Sequence, residues 1–548
     1  MDRIGGKIMK AVKKMISLGI LTAFIMMIMT GCGASDTQNS AELNFQLSNS
    51  PSTIDAQEVA DTNSSTLVKF FTSTLYEYNS NRELVPGLAE SYDVSSDGLT
   101  VTYHLKDDLK WSNAKPLTAD DFVCAFQRIA DPATKSSAIY LITDCCMIAN
   151  SAKISIGELP VSELGVSAPD KKTFVIKLEQ PCPYINSLIS LTCFSPCSRE
   201  FFNSCSGSYA SSADTMLSCG AYVMDRYEPL ASQIHLSPNK YYYKGNNITS
   251  GVNLQVVGDA QQAMMCYETG MLDVIRITGE LADLAKDDTH LKAFSTAQIY
   301  RLDINHSTNK TLKNLNIRKA LAKSIDRQSI AANVIRSGYS ALERVVPEKF
   351  YTQTDGKDFA ADQKQYEDQM GYDTSAAANY WSKGLKELGT DSAELEFVYA
   401  SSQSKVAEPI AKQLEDNLNG LKLKLTPLPD KEWLRRISLG DQYDIILASW
   451  VPDFVDPTAL FTTCLGTGNN NLYFNEQFNE LYNKSQSLSG AQRDEILHQL
   501  ESIILDDAAL IPLFNGEQRY LVADGVSGLQ VTPTGVEIVI SGLRKERK

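Results

Sequence analysis

The sequence predicts an α/β protein with more than one domain, and two observations carry that prediction. Between residues 395 and 450, the strand-like runs Leu395–Tyr399, Leu421–Leu425 and Asp444–Trp450 alternate with two amphipathic helical patterns. That β-α-β-α-β order favours right-handed crossovers and a doubly wound sheet. The chain has 548 residues, which is more than one hydrophobic core usually holds.

Local patterns place the first strand and one clear helix. Apolar and polar residues alternate over 43–47, which is typical of a strand with one buried face. Thr118 followed by Asp121 forms a variant of the capping box, so a helix is predicted to begin there. Its buried face would consist of Phe122, Phe126 and Ile129.

Two further signals concern the second half of the chain. Asn316 and Asp326 are each placed to cap a helix. The run Asp444–Trp450 is apolar on both faces, so we expect it in the middle of a parallel sheet. Ligands of such sheets bind beyond the carboxyl ends of the strands, which directs attention to Trp450 and the residues after it.

The N-terminal leader is typical of an export signal. A basic start precedes an apolar stretch from Met15 to Met29 that is short for a membrane-spanning helix. The sequence Met29-Thr30-Gly31-Cys32 resembles the lipobox of bacterial lipoproteins, although that motif prefers leucine at its first position. This predicts cleavage before Cys32, acyl chains on that residue and anchoring at the membrane. The alternative is an ordinary secretory signal with a coincidental cysteine.

Charge, cysteines and missing motifs narrow the functional classes. The formal net charge is −15, which argues against nucleic-acid binding. Ten cysteines besides Cys32 permit disulfides in an exported protein, and buried reduced thiols are the alternative. No Cys-x-x-Cys pair supports a metal site. The sequence has no P-loop, no Gly-x-Ser-x-Gly and no His-Glu-x-x-His, so we predict no enzyme, no metal and no cofactor.

A series of short motifs runs through the chain from about Leu43 to Leu521. The motifs include Leu75-Tyr76-Glu77, Pro86-Gly87-Leu88-Ala89-Glu90-Ser91, Lys110-Trp111-Ser112-Asn113, Pro116-Leu117-Thr118-Ala119-Asp120-Asp121-Phe122, Val166-Ser167-Ala168-Pro169-Asp170, Gly270-Met271-Leu272-Asp273, Ile317-Arg318-Lys319-Ala320-Leu321 and Ile511-Pro512-Leu513. Together they resemble the oligopeptide and dipeptide family, family 5, of the extracellular solute-binding proteins of ABC transporters. One departure is Ala114, where the family usually has glycine. A turn with positive φ there would strain an alanine.

The resemblance implies an α/β architecture of the type II periplasmic-binding-protein fold, with two hinged lobes and an inserted subdomain. The expected divisions are a signal peptide over 1–31, a tether over 32–40, lobe I over 41–70, 216–300 and 516–548, its inserted subdomain over 71–215, and lobe II over 301–515.

The resemblance also points to the stretch Trp450–Pro457. In the family's oligopeptide binders, the aspartate three residues after this tryptophan holds the α-ammonium group of the ligand, which here implies Asp453. A carboxylate partner offsets the cost of removing that ammonium from water. The alternative is that Asp453 caps a turn, and for Asp456 the Asp-Pro pattern favours a helix cap. The remaining ligand-binding residues that the resemblance implies are Trp450, main-chain groups of Ser449 and Val451, and Tyr140 and Ser48 on the opposite wall.

The predicted function is therefore a monomeric lipoprotein on the extracytoplasmic face of the cell membrane. It would bind short peptides between two lobes and deliver them to the permease subunits of an ABC importer. The alternatives are another solute of the same family (a nickel complex, haem or an oligosaccharide) and, in a different class, a surface hydrolase or an adhesion lipoprotein.

Overall fold

The computed structural model of the protein describes residues 40–245, 249–335, 338–361, 368–439, 443–465 and 473–546. The predicted export signal, Cys32 and all of the predicted tether except Ser40 lie outside these residues. Within them, no helix combines the length and the apolar character that a membrane crossing requires.

Strands and helices alternate along most of the described chain. The strands, numbered β1 to β21 in chain order, are Glu42–Leu47, Tyr76–Tyr78, Leu84–Pro86, Ala89–Val94, Thr100–Leu105, Val166–Ser167, Thr173–Lys177, Tyr222–Met224, Gln233–Pro238, Gly251–Val256, Val274–Ile277, Leu291–Ile304, Tyr339–Ala341, Ala393–Ala400, Leu421–Leu428, Ile445–Trp450, Leu510–Val522, Val526–Ser527, Gln530–Val531, Ile538–Val539 and Arg544–Lys545. The α-helices are Thr62–Phe71, Ala119–Ala130, Ser151–Ser155, Ile185–Leu188, Arg199–Ser204, Ala260–Glu268, Gly279–Leu284, Lys310–Lys313, Leu315–Lys323, Arg327–Ile330, Thr374–Leu388, Ser404–Asn417, Asp430–Leu439, Thr458–Phe461, Glu476–Gln486 and Gly490–Asp506.

A mixed sheet organises the molecule. Within the described residues its order is β15-β14-β16-β12-β17-β11-β1-β10-β9-β8, and β13 pairs with β17 beside this path. The two long strands β12 and β17 are antiparallel and lie in the middle of the sheet. Their register shifts between Ser295 and Ile299, so the ladder is interrupted partway along the pair. Despite this interruption, β12 and β17 stay paired and connect the two ends of the sheet.

The buried apolar side chains form three large clusters within the described residues. The first core takes residues from 43–71, 221–274 and 520–543, and the second core takes residues from 75–219. The third core takes residues from 297–514. Phe454 and Ala459 follow β16 of the third core in sequence, yet they pack into the second core. The loop after β16 is thus docked on the second core.

The first strand and the capped helix are confirmed. β1 spans Glu42–Leu47, and the helix Ala119–Ala130 has Thr118 as its N-cap. The backbone N–H of Thr118 donates to Oδ2 of Asp121 at 2.8 Å, and the indole N–H of Trp111 donates to the same oxygen at 3.1 Å. In the turn after Trp111, Ala114 has φ of 69°. An alanine in this left-handed region costs roughly 1–2 kcal/mol, as the departure from glycine suggested.

The predicted β-α-β-α-β unit is also confirmed, with one correction. β15, β14 and β16 are parallel neighbours, and the helices Ser404–Asn417 and Asp430–Leu439 connect them. However, the other neighbour of β16 is the antiparallel strand β12, so the sheet is mixed and not purely parallel. Burial on both faces reports the layers that cover a strand, and it does not reveal the direction of the neighbouring strand.

One of the two predicted helix caps is wrong. The helix Leu315–Lys323 is capped by Asn314, whose Oδ1 accepts from the N–H groups of Asn316 and Ile317 at 2.9 and 3.2 Å. The side chain of Asn316 instead donates to Glu387 at 2.8 Å. Asp326 does cap its helix, because its Oδ1 accepts from the N–H of Ser329 at 2.9 Å.

Candidate functional site

Asp453 lies on the loop that follows the carboxyl end of β16. Its side chain is half-buried. Burial raises the pKa of Asp453, and a hydrogen bond from the Tyr140 hydroxyl opposes that shift without cancelling it. Among the described residues, no basic side chain forms an ion pair with this carboxylate. Asp453 is therefore a partly desolvated acid that lacks a counter-ion within the described protein.

Tyr140 is the residue that the fold brings to Asp453 from the second core. It immediately precedes a π-helix, Leu141–Cys145, and 40% of its side chain is exposed. Such π-helical turns are rare and are frequent at functional sites. The thiol of Cys145 lies in the same place, since burial and then the charge of Asp453 raise its pKa to about 12. The prediction that Tyr140 faces the ligand remains a prediction, but its position next to Asp453 is now defined.

The loop that carries Asp453 is held firmly on the second core. The ring of Phe454 stacks on Tyr184 with 4.2 Å between centroids and 11° between planes. The backbone N–H of Val455 donates to Oγ of Ser187 at 2.7 Å. On the other side, the indole N–H of Trp450 donates to the carbonyl of Ala459 at 3.3 Å. These contacts fix the backbone on both sides of Asp453, so its carboxylate is positioned before any ligand arrives.

Asp456, three residues further on, has a different environment. It is 2% exposed and forms a two-bond ion pair with Arg493, at 2.7 Å to Nη1 and 3.0 Å to Nη2. Its Oδ1 also accepts from the N–H of Thr458 at 3.0 Å, at the start of the helix Thr458–Phe461. The local capping contact was expected from the sequence, but the ion pair with Arg493 was not.

The other predicted site residues lie in two places, at the carboxyl end of β16 and after the end of β1. Trp450 and Ser449 are the last residues of β16, paired with Ile299 and Tyr300 of β12, and Val451 after them is 38% exposed. Ser48 follows β1 and lies beside a cavity of about 230 Å³ on the first core. The backbone N–H of Ser48 donates to the Asn63 side chain at 3.0 Å.

Sequence reasoning missed Cys145, Tyr184 and Ser187 as neighbours of the Asp453 loop. They lie far from it along the chain, in segments whose local patterns indicate only burial. The ten cysteines from Cys124 to Cys464 are free thiols in the structure. Among the described residues, no cluster of three or more histidines, cysteines or acids is placed to hold a metal ion.

This arrangement defines a class of protein. The first and third cores share the large sheet through its two long strands, and the second core contains a separate sheet of order β4-β5-β7-β6. An acid that has no counter-ion among the described residues lies where the loop after β16 meets this second core. These features are typical of a protein that binds a solute between its parts.

The particular family follows from sequence comparison. Residues 83–472 match the profile of the bacterial extracellular solute-binding proteins, family 5. Because the match covers most of the chain, the protein belongs to that family. The fold class predicted from the sequence is confirmed with it.

Individual relatives span nearly the whole chain. The dipeptide-binding protein of Lactococcus lactis is 27% identical over 547 residues, covering 95% of this chain and 98% of that protein. The structure of Listeria monocytogenes OppA bound to peptide has 27% identity and a TM-score of 0.69, covering 93% of this chain and 100% of that one. The murein tripeptide-binding protein MppA in its unliganded open form shares the fold at 21% identity, with a TM-score of 0.82 over 93% of this chain and 99% of that one.

Proposed function

We propose that this chain is the substrate-binding lipoprotein of an ABC importer, and that it holds a short peptide with the peptide's α-ammonium group on Asp453. The observation that carries the proposal is the state of that carboxylate. The carboxylate is partly removed from water, and the contacts of its loop hold it in place. Within the described residues, it has no basic side chain as an ion-pair partner.

The energetics favour a cationic ligand group at this position. An ammonium group that is enclosed without a partner loses its hydration, and a carboxylate with good geometry offsets that loss. The carboxylate also gains, because its charge is no longer desolvated without a partner. Each charge therefore removes the other's penalty, and this mutual gain is available to a ligand that carries a positive charge, as the free amino end of a peptide does.

The names of the relatives support a peptide as the ligand. One is a dipeptide-binding protein, and another was solved with a peptide bound. Main-chain groups of Ser449 and Val451 at the end of β16 would pair with the peptide backbone as an added strand. Such pairing tolerates many side chains, because it uses only the peptide backbone. Ser48 would line the opposite wall, and Tyr140 would meet the ligand beside Asp453.

We further propose that the two halves of the molecule move as lobes. Lobe I would comprise 41–70, 216–300 and 516–548 with the subdomain 71–215, and lobe II would comprise 301–515. The interrupted ladder between β12 and β17 near Ser295 is a suitable hinge. Ligand would then favour the closed form, which alone makes contacts from both sides.

Anchoring and delivery complete the proposal. Cleavage before Cys32 and acylation of that residue would hold the monomeric protein at the extracytoplasmic face of the membrane. There the closed form would be presented to the permease subunits.

Native mass spectrometry of the mature protein, taken directly from cells, tests this function. We expect co-purified masses that fragment as short peptides, and fewer of them on Asp453→Asn. Recovery of a nickel complex, haem or an oligosaccharide in place of peptides would overturn the proposed ligand. Cleavage of added peptides would identify an enzyme instead.

A further inference from the structure

Two buried cysteines, Cys124 and Cys197, meet beside the second core. Cys124 lies on the helix Ala119–Ala130 and is 2% exposed. Cys197 lies shortly before the helix Arg199–Ser204 and is fully buried. Together with Ala125, the two cysteines form a small cluster of buried side chains that is separate from the large cores. Segments that are far apart along the chain thus bring two thiols into one small space.

Two hydrogen bonds hold Cys197 against the turn of helix that carries Cys124. The backbone N–H of Cys197 donates to the carbonyl of Asp121 at 2.9 Å. The guanidinium of Arg128 donates from Nη1 to Sγ of Cys197 at 3.8 Å. Asp121, Cys124 and Arg128 are spaced by three and four residues, so they lie on one face of the helix. The sulfur of Cys197 is therefore held over the helix face from which Cys124 projects.

The thiols of Cys124 and Cys197 also interact directly. A hydrogen-bonding contact with Cys197, followed by burial, raises the pKa of Cys124. The same contact, and after it the positive charge of Arg128, outweigh burial and lower the pKa of Cys197. A disulfide needs two main chains that approach closely, with roughly 4.4–6.8 Å between Cα atoms. The backbone hydrogen bond from Cys197 to the turn of Cys124 provides such an approach.

The surroundings of the two thiols are fixed by Arg128. Its guanidinium forms a buried ion pair with Asp55, a residue of the segment that follows β1. The central carbon of the guanidinium lies over the rings of Phe202 and Tyr209, at 4.5 and 5.0 Å from their centroids. Arg128 therefore holds the sulfur of Cys197 in place from a position that is itself fixed on three sides.

We propose that Cys124 and Cys197 are joined by a disulfide in the exported protein. The family to which the chain belongs is extracellular, and disulfides form and persist in oxidising surroundings outside the cytoplasm. The proposal goes beyond the proposed function and does not depend on the identity of the ligand.

The disulfide would fasten the part of the molecule that holds the Asp453 loop. The loop of chain that the bond closes contains Tyr140, whose hydroxyl donates to Asp453. It also contains Tyr184 and Ser187, which contact the two residues after Asp453. Closing this loop limits the conformations of the unfolded segment, and the folded segment gains stability in proportion.

The oxidant of this step is the disulfide of an extracytoplasmic thiol oxidoreductase. The thiolate of Cys197 attacks one sulfur of that disulfide, and the other sulfur leaves as a thiolate. The thiol of Cys124 then gives up its proton and attacks the sulfur of Cys197, which releases the second sulfur of the oxidoreductase. The protein loses two electrons and two protons, and the oxidoreductase gains both as a dithiol. Because both cysteines are buried in the finished fold, the exchange takes place while this segment folds.

Peptide mapping of the mature protein, taken directly from the cell surface, tests the bond. The protein is denatured, its free thiols are alkylated without reduction, and its peptides are identified by mass spectrometry. We expect a pair of peptides that is linked through Cys124 and Cys197 and separates on reduction. Alkylation of both cysteines in the unreduced protein would overturn the proposal, and so would a bond from either one to another cysteine.

Thermal unfolding measures what the bond contributes. Reduction should lower the melting temperature of wild-type protein by about 4–8 °C. Cys124→Ser and Cys197→Ser should each lose this response to the reductant, because either replacement removes the crosslink. The response, and not the absolute melting temperature, is compared, since each replacement also changes the packing of a buried side chain.

Cys219→Ser is the matched control for these variants. Cys219 is another buried cysteine, 3% exposed, and its Sγ accepts from the backbone N–H of Ser73 at 3.3 Å. This variant should keep the full response to the reductant. A wild-type melting temperature that reduction leaves unchanged would contradict the proposal, as would a response that persists in Cys124→Ser. Peptide binding is measured separately, so the proposed function stands or fails independently of the disulfide.

Discussion

Asp453 and Asp456 are three residues apart on one loop, yet the fold uses them differently. Asp456 is almost fully buried and is neutralised by Arg493. Burial disfavours the charge of Arg493, but the carboxylate of Asp456 more than offsets this and raises the pKa of Arg493 above its ordinary value, so Arg493 stays charged. Asp453 is half-buried, accepts hydrogen bonds from the Tyr140 hydroxyl and from its own backbone N–H, and has a raised pKa because of its burial. The difference gives a criterion for distinguishing a structural acid from a ligand-binding acid. The structural acid is paired with a basic side chain of the protein itself, and the ligand-binding acid is not.

The largest expected effect is on stability, at Asp456. Asp456→Asn removes the counter-ion of the buried Arg493, and an uncompensated buried charge costs about 3–5 kcal/mol. Denaturant unfolding of the ligand-free protein measures the loss. Replacing both partners, as in Asp456→Leu with Arg493→Met, should recover most of it, because no charge is then left alone.

Asp107→Asn is the matched control for Asp456→Asn. Asp107 pairs with Lys172 on the surface, and both side chains are exposed. Its loss should change the free energy of unfolding by less than about 1 kcal/mol. If Asp456→Asn behaves like this control, the contrast between the two aspartates disappears.

The next effect is the pH dependence of peptide binding. Only ionised Asp453 attracts the ammonium group, and its folded pKa lies above the ordinary value of about 3.9. Affinity should be full at neutral pH and should fall as the pH drops through that raised pKa, by up to about tenfold per pH unit. Calorimetry at a series of pH values measures it. An N-acetylated peptide is the control, and affinity that stays constant on acidification for the free-amine peptide would contradict the assignment.

A smaller effect is expected at Tyr140. Its hydroxyl donates to Asp453 and favours the ionised form. Tyr140→Phe removes this bond, which is worth roughly 0.5–1.5 kcal/mol, so peptide affinity at neutral pH should fall about three- to tenfold. The acid limb of the binding profile should also move to higher pH. Tyr92→Phe should change neither quantity, because Tyr92 is an exposed tyrosine whose ring packs edge-on against Tyr76 of the second core.

The smallest expected effect is the change in the free energy of unfolding that Asp453→Asn causes in the ligand-free protein. A carboxyl group whose folded pKa is raised destabilises the fold above that pKa, and the penalty vanishes at lower pH, where the group is protonated. The variant should therefore be as stable as wild type at neutral pH or slightly more stable, and the two should converge in acid. Thermal unfolding after removal of bound peptide shows this. A loss as large as that of Asp456→Asn would make Asp453 structural as well.

Local patterns predicted much of the fold. The alternation over 43–47 and the parallel strands around the helix Ser404–Asn417 follow from periodicities that a sequence displays directly. The wrong cap shows the limit of such reasoning. Asn314 and Asn316 are both good capping residues, and the structure has the cap at Asn314, which ends the helix Lys310–Lys313 and begins the helix Leu315–Lys323.

The site depended on long-range contacts that local patterns do not contain. The resemblance singled out Asp453, but nothing in the sequence shows that Tyr140 donates to it or that Ser187 holds its loop. The cavity beside Ser48 gives no motif at all, because its lining residues come from segments that are far apart along the chain. Ala114 is the reverse case, since its strain could be anticipated from one departure from the family's glycine.

The central claim is that Asp453 neutralises the amino end of the ligand, and a four-way comparison tests it most directly. Binding of one peptide with a free amino end and of its N-acetylated form is measured by calorimetry for wild type and for Asp453→Asn. We predict that Asp453→Asn weakens the free peptide by about 2–5 kcal/mol and the acetylated peptide hardly at all. Equal losses for the two peptides would contradict the account.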